Sequence, residues 1–346
     1  MEICSNLSKI SRYYLTMTKS CNLRCKYCLQ GQDKPENLVP VDVRKVASYF
    51  PETGIYNLIF FGGEPFLLFD EMIEIARLVK EKNSHANMIV ATNGTLLTVE
   101  RADILNSLDF TIAISHDGFM HEELRGIPDF LKVNPEPFLA LKNRSVAATI
   151  TSLNWDFYRI WEYFDNFEAK YDTKVPVLLQ VTEDDEGNTP EELFLYNNKA
   201  FEAMIDRVFA NLKSSILNSD FTSREYLQYF PMIEKLNLVL NNPSYFGCRC
   251  GADTSSCHID IHGNLYACHN AKNPNDHIDI SGVQPGNYNP YRNLKECQEC
   301  PAYLLCGGGC PMAHPTRRKY ICYIEFQQYS RLLKVLNEVA AEGYDG

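Results

Sequence analysis

Three cysteines stand close together near the start of the chain, in the run Cys21-Asn-Leu-Arg-Cys25-Lys-Tyr-Cys28. Clustered thiolates of this kind bind metal or do redox chemistry. A cubane iron–sulfur cluster has four irons, so a trio of cysteine ligands leaves one iron open to a small molecule. Arg24 and Lys26 in the same run favour thiolate over thiol. A structural zinc ion would instead want four ligands in paired Cys-x2-Cys spacing. No neighbouring His or Cys completes such a set.

A second group lies far downstream. It reads Cys250-x6-Cys257-x10-Cys268, then Cys297-x2-Cys300-x5-Cys306-x3-Cys310, then Cys322. Eight thiolates are enough for two further cubanes with no open iron. A two-zinc ribbon is the competing structure, but Cys-x5-Cys-x3-Cys is poor zinc spacing. Gly307, Gly308 and Gly309 let the chain turn tightly between Cys306 and Cys310. Only Cys4 and Cys248 of the 13 cysteines fall outside these groups, and both read as plain thiols.

The surroundings suit metal-binding thiols. The opening residues, MEICSNLSKISRYY, lack the basic segment and apolar run of an export signal, and no apolar stretch is long enough to span a bilayer. A cytoplasmic protein without a membrane partner is expected, and there cysteines seldom form stable disulfides. The net charge of −11 argues against a broad nucleic-acid interface, which needs Lys and Arg against phosphates. A hydrophobic content of 45% is that of an ordinary globular protein.

These residues must be positioned by an α/β framework. YYLTMT (13–18), NLIFF (57–61), NMIVAT (87–92), FTIAIS (110–115), VAATIT (146–151) and VPVLLQV (175–181) read as buried parallel strands. Helical stretches lie between them, among them 70–82 and 155–171. The pattern predicts a partial (β/α)6 TIM-type barrel, with chemistry at the carboxyl ends of the strands. The informative motifs fall there: Cys21 after strand one, Gly62-Gly63-Glu64-Pro65 after strand two, Thr92-Asn93-Gly94 at strand three, and Ser115-His116-Asp117-Gly118 at strand four. The predicted division is a barrel domain over 1–215, a helical linker over 216–246 and a small Cys-rich domain over 247–346. The last of these is poor in periodic elements and would need metal to hold it together. It ends in a terminal helix, expected to bury Phe326, Tyr329, Leu333 and Leu336.

The run Cys-x3-Cys-x-aromatic-Cys, with Tyr27 at the aromatic position, resembles the signature of the radical S-adenosylmethionine superfamily. The resemblance implies a 4Fe–4S cluster on Cys21, Cys25 and Cys28 that reductively cleaves S-adenosylmethionine to a 5′-deoxyadenosyl radical, which abstracts a hydrogen atom from substrate. It also implies that Gly62, Gly63, Glu64 and Pro65 meet the methionine moiety, that Ser115 meets the ribose and that Asn93 belongs to the same pocket. Residues 250–322 resemble the SPASM auxiliary-cluster domain. That likeness assigns Cys250, Cys257, Cys268 and Cys310 to one auxiliary 4Fe–4S cluster and Cys297, Cys300, Cys306 and Cys322 to another, three clusters in all. Cys248 could replace Cys250.

The resemblance implies a peptide maturase, an oxidoreductase that installs a crosslink or oxidative modification on a ribosomally made peptide or protein side chain. A reducing donor such as flavodoxin or ferredoxin would supply electrons. Only twenty residues precede Cys21, so leader recognition is expected to need a separate leader-binding protein or another surface. Two alternatives stand beside this reading. One is an anaerobic sulfatase-maturating enzyme forming formylglycine, where an Asp following an auxiliary ligand serves as base; here Cys268 precedes His269 and Asn270. The other is a multi-cluster electron-transfer protein, which would need no cofactor pocket. His269 suits proton transfer near neutrality, or is a solvated loop residue. Asp117 is a second catalytic candidate, or shapes the turn before Gly118.

Overall fold

In Arg12–Thr18 the side chains alternate, Tyr13, Leu15 and Met17 being buried and their neighbours half-buried. A period of two with one apolar face makes a strand, here β1 (Arg12–Thr18). A computed structural model describes residues 10–28, 30, 37–182, 189–241, 256–266, 268, 290–310 and 313–342. The expected strands follow as β2 (Tyr56–Gly62), β3 (Ala86–Thr92), β4 (Thr111–Ser115), β5 (Asn143–Ile150) and β6 (Val177–Val181). β1 to β5 pair in chain order and in parallel. Parallel pairing requires crossovers, supplied by α1 (Val43–Ala47), α2 (Phe69–Lys82), α3 (Val99–Ser107), α4 (His121–Arg125), α5 (Phe130–Val133) and α6 (Glu136–Ala140). This is the partial TIM-type barrel that the alternation of elements predicts.

The chain divides into two compact units, Met1–Ala147 with Gly251–Val283, and Ala148–Cys250 with Gln284–Gly346. In the first unit, α2 buries Met72, Ile73, Ile75, Ala76 and Val79 against the sheet side of the helix, as its period predicts. Asp70 and Glu71 in its first turn, with Lys80 and Lys82 in its last, complement the helix dipole. The other face of the sheet is mostly half-buried: Thr16 lies opposite Phe61, and the small residues Ala91, Ala113 and Ser145 lie side by side. That face ends at Ser115.

The Cys-rich segment contributes to this sheet, which the sequence does not suggest. β7 (Ser256–Asp260) pairs in parallel with the free side of β1, and β8 (Leu265–Tyr266) returns antiparallel to it. All five residues of β7 are buried, including Ser256, His258 and Asp260. With polar side chains at every second position, the run carries no apolar signature.

The second unit holds the end of β5 and β6, where the Thr182 amide donates to Ile150 O. Its helices are α7 (Phe157–Tyr171), α8 (Lys199–Leu217), α9 (Arg224–Asn241), α10 (Lys295–Gln298), α11 (Tyr303–Cys306) and α12 (Arg318–Ala341). α12 packs on α8, and its buried residues include Ile321, Ile324, Gln328, Leu332, Val335 and Val339. The expected face is therefore rotated: Tyr329 is buried, but Phe326 is exposed and Leu333 and Leu336 are half-buried. Two polar residues on the buried face mislead the pattern. Glu325 meets Cys306, and Gln328 accepts a bond from the Tyr229 hydroxyl at 2.8 Å. Among the described residues no helix is long and apolar enough to cross a membrane.

Candidate functional site

β1 runs straight into the cysteine loop, and that loop is fastened to the ends of the next strands. The Gly63 amide donates to Thr18 O at 2.8 Å and the Glu64 amide to Ser20 O at 2.9 Å. This approach is possible only because Gly62 and Gly63 lack side chains. A Cβ on Gly62 would lie 2.2 Å from Thr18 O, and one on Gly63 2.1 Å from Ser20 O. The glycine pair thus lets the loop after β2 lie directly against the backbone that leads to Cys21.

Glu64 extends the fastening to β3. Its carboxylate is inaccessible and accepts from the Thr92 hydroxyl at 2.7 Å, the Asn93 amide at 2.8 Å and the Phe66 amide at 2.9 Å. Burial pushes its pKa up, and those three donors oppose the shift. Asn93 completes the tie, with Nδ2 2.9 Å from Asn22 Oδ1 and 3.9 Å from Cys21 Sγ. Asn22 Nδ2 donates in turn to the Thr95 hydroxyl at 2.7 Å.

A second anchor comes from β4. The Tyr27 hydroxyl donates to Asp117 Oδ2 at 2.6 Å, and Arg125 Nε donates to the same oxygen at 2.8 Å. The Lys26 amide donates to Leu124 O at 2.9 Å, so α4 holds the loop by backbone as well. Burial drives the Tyr27 phenol well above its ordinary pKa, and the Asp117 charge adds to that, so it stays a donor. Burial alone would lower the pKa of Arg125; Asp117, Tyr27 and Cys25 together outweigh it and keep the guanidinium charged. Behind this pair, His116 Nδ1 accepts from the Gly118 amide at 3.0 Å while Nε2 lies 2.9 Å from Asp129 Oδ1. That pattern makes His116 a neutral imidazole protonated on Nε2. His121 stacks on it with ring centroids 3.9 Å apart.

Several expected residues are committed to contacts within the protein. Asp117 is inaccessible and committed to Arg125 and Tyr27, so it braces the loop and is not placed to exchange protons with a substrate. Tyr27 and Glu64 turn their polar ends into the protein, leaving the backbone of Gly62–Pro65 as what that stretch offers a ligand. Ser115 sits half-buried on the open face at the end of β4. His121, Arg125 and Asp129 went unforeseen, and His116 was named only as a member of the Ser115–Gly118 motif.

The three thiols differ in exposure, Cys25 being buried and Cys21 and Cys28 half-buried. The Leu23 amide points at Cys21 Sγ from 3.4 Å. Among the described residues no three His, Cys, Asp or Glu side chains converge on the centre a single metal ion would need. Three cysteine sulfurs on one loop are a donor set that a 4Fe–4S cluster can take, with one iron left for a small molecule.

The later cysteines separate. Cys257 lies in β7 and Cys268 just beyond β8, both buried in the first unit. Cys310 belongs to the second unit, and Cys250, Cys248, Cys4 and His269 lie outside the described residues. Cys297, Cys300, Cys306 and Cys322 are brought together within the second unit, around one cavity of about 530 Å³. Burial pushes the Cys306 thiol up, and Glu325, whose Oε2 is 3.1 Å from its sulfur, adds to the effect.

Comparison with known proteins agrees with this architecture. Residues 15–140 match the Radical SAM superfamily profile. An AdoMet-dependent heme synthase of Oleidesulfovibrio alaskensis is 28% identical over 165 residues, 44% of this chain and 42% of that one. A GTP 3′,8-cyclase of Helicobacter pylori is 29% identical over 171 residues, 44% of this chain and 51% of its own. The matches thus span about half the length, or less, of these curated relatives. Native anSMEcpe with bound AdoMet and Cp18Cys peptide has a similar fold, with a TM-score of 0.67 at 20% identity, covering 95% of this chain and 99% of that one. Streptococcus suis SuiB bound to precursor peptide SuiA is similar at a TM-score of 0.59 and 16% identity, covering 89% and 75%. The strand-end cysteine loop, the parallel sheet that carries it and the profile match together make residues 15–140 a radical SAM domain.

Proposed function

We propose that this protein is a radical S-adenosylmethionine enzyme that abstracts a hydrogen atom from a peptide or protein side chain to install a crosslink or oxidative modification. The observation that carries the reading is the clamped loop, in which Cys21, Cys25 and Cys28 are fixed against Gly62-Gly63 and Asn93. A 4Fe–4S cluster there would supply the electron that splits S-adenosylmethionine and so gives access to radical chemistry. The chain's own share is positioning. Glu64 and Asn93 hold the loops after β1, β2 and β3 in one arrangement, and the Tyr27–Asp117–Arg125 brace keeps the loop from swinging away from them. The backbone of Gly62–Pro65 stands at the end of β2 and the Ser115 hydroxyl at the end of β4, with β3 between them, as contacts for the methionine and ribose moieties. The half-buried small side chains below them leave room for a substrate residue.

Two auxiliary clusters fit the remaining thiols, in a SPASM-like module over 247–346. Cys297, Cys300, Cys306 and Cys322 would hold one of them, and Cys250 or Cys248 with Cys257, Cys268 and Cys310 the other. They suit a reaction that must remove a second electron after hydrogen abstraction. The peptide-bound relatives of similar fold support a peptide partner. Reduced flavodoxin or ferredoxin fits as electron donor, a separate leader-binding protein as helper and the cytoplasm as compartment. His269 is kept as a candidate base.

Anaerobic reconstitution with iron, sulfide, a strong reductant and S-adenosylmethionine tests the first step. A fully loaded protein that releases no 5′-deoxyadenosine would refute it. Mass spectrometry on a Cys- or Ser-containing peptide then separates the chemistries. Conversion of that residue to an aldehyde points to formylglycine formation, and a two-hydrogen loss with an internal link points to crosslinking.

A further inference from the structure

We propose that Arg318 sets the reduction potential of the cluster assigned to Cys297, Cys300, Cys306 and Cys322, by donating to its thiolate shell and compensating its charge. The inference rests on the proposed ligation by that set.

α12 presents Arg318, Cys322 and Glu325 to the same cavity, at helical spacings of four and three that put them on one face. The facing wall carries Cys297 and Cys300. Arg318 Nη2 lies 2.6 Å from Cys297 Sγ, and Nη1 lies 3.5 Å from Glu296 Oε1. The third nitrogen, Nε, is buried and has no hydrogen-bond partner among the described residues. A buried donor left open costs free energy, unless an acceptor such as a cluster sulfur meets it. The guanidinium also lies 4.8 Å from the ring centroid of Tyr291, which fixes its plane.

Reduction adds an electron to a cluster that is already anionic in its thiolate shell. A fixed cation with N–H groups aimed at the sulfurs favours the reduced form and raises the potential. Glu325 stands at the opposite end of the same helix face, against Cys306. The charge is therefore asymmetric, with the cationic end at Cys297 and Cys322. Such an arrangement suits an acceptor that takes the substrate's second electron readily.

The test uses full-length enzyme carrying Cys21, Cys25 and Cys28→Ala, so that all cluster signals are auxiliary, with EPR-monitored redox titration under anaerobic conditions. Arg318→Gln is expected to keep its iron and to shift one auxiliary midpoint downward. A tenfold change in the reduced-to-oxidised ratio at fixed ambient potential corresponds to about 59 mV for one electron. Arg318→Lys, which keeps the charge but not the planar donor fork, should fall between wild type and Arg318→Gln. Unshifted midpoints in an iron-replete Arg318→Gln protein would overturn the inference and leave the cluster assignment intact. Should Arg318→Gln fail to load, Arg318→Lys decides: a midpoint equal to wild type overturns the proposal, and a lower one supports it. Cys297→Ala with Cys322→Ala is the control for the ligands. Full iron retention there would remove the cluster assignment, and the inference with it.

Discussion

Replacing Gly63 with Ala isolates the contact between the loops after β1 and β2. A new Cβ would lie 2.1 Å from Ser20 O, 2.6 Å from Ser20 C and 2.7 Å from Lys19 O. Every one of these atoms is backbone, so no side chain can turn aside to make room. Overpacking of this kind costs about 1–3 kcal/mol. The hydrogen bonds from Gly63 and Glu64 to Thr18 and Ser20 are strained at the same time, each worth about 1 kcal/mol net. With both bonds lost the sum, about 3–5 kcal/mol, displaces the clamped loop by roughly 150- to 5,000-fold in equilibrium terms. After reconstitution, 5′-deoxyadenosine release should fall at least tenfold, while iron attributable to the later cysteines stays near the ~8 atoms of two cubanes. Gly126→Ala is the comparison: nothing lies within 4 Å of its Cβ position, and its φ of +71° carries only a conformational cost of about 1–2 kcal/mol. A Gly63→Ala protein with wild-type cofactor cleavage and an unchanged melting temperature would refute the steric argument.

Asp117→Asn should destabilise the fold by about 3–5 kcal/mol in urea denaturation, because it strands the Arg125 charge in an inaccessible site; a loss below 1 kcal/mol would contradict the brace. Burial, with His116 and Arg125 beside it, lowers the His121 pKa to about 2, so the unfolded chain binds the extra proton first as pH falls below about 6.5. Its contribution is present above that pH and is lost on acidification, about 2 kcal/mol by pH 5; His121→Phe should flatten the fall in urea midpoint between pH 7 and 5, and an unchanged slope would refute it. Replacing Cys21, Cys25 and Cys28 together with Ala should abolish cofactor cleavage and leave about 8 irons per chain. Iron content equal to wild type, or none at all, would contradict independent clusters.

The parts of this structure that were legible in the sequence are those where one physical signal dominates. The six strands β1 to β6 are apolar runs between turns, and the cysteine spacings have few chemical uses. The parts that were not legible are those where a polar residue is buried because a partner, local or distant, meets it. β7 is invisible because Ser256, His258 and Asp260 occupy alternate buried positions; Asp260 is satisfied locally by the Asn264 amide at 3.0 Å and the Tyr266 hydroxyl at 2.7 Å. The face of α12 is misjudged because Glu325 and Gln328 look like solvent residues until Cys306 and Tyr229 are placed against them. The helix α4 fails in the same way, since Arg125 becomes intelligible only beside Asp117. These buried polar groups cost desolvation wherever they occur, and hydrophobic residues of similar volume would often serve stability as well or better. Here they gather against the cysteine-bearing segments: Glu64 and Arg125 at the first loop, Glu325 and Arg318 at the later thiols. An apolar wall could hold those loops in place, but it could not orient N–H and O–H groups around them. Fixed dipoles and charges beside the thiols are what a redox centre requires of its protein, and the residues hardest to read from the sequence are the ones that supply them.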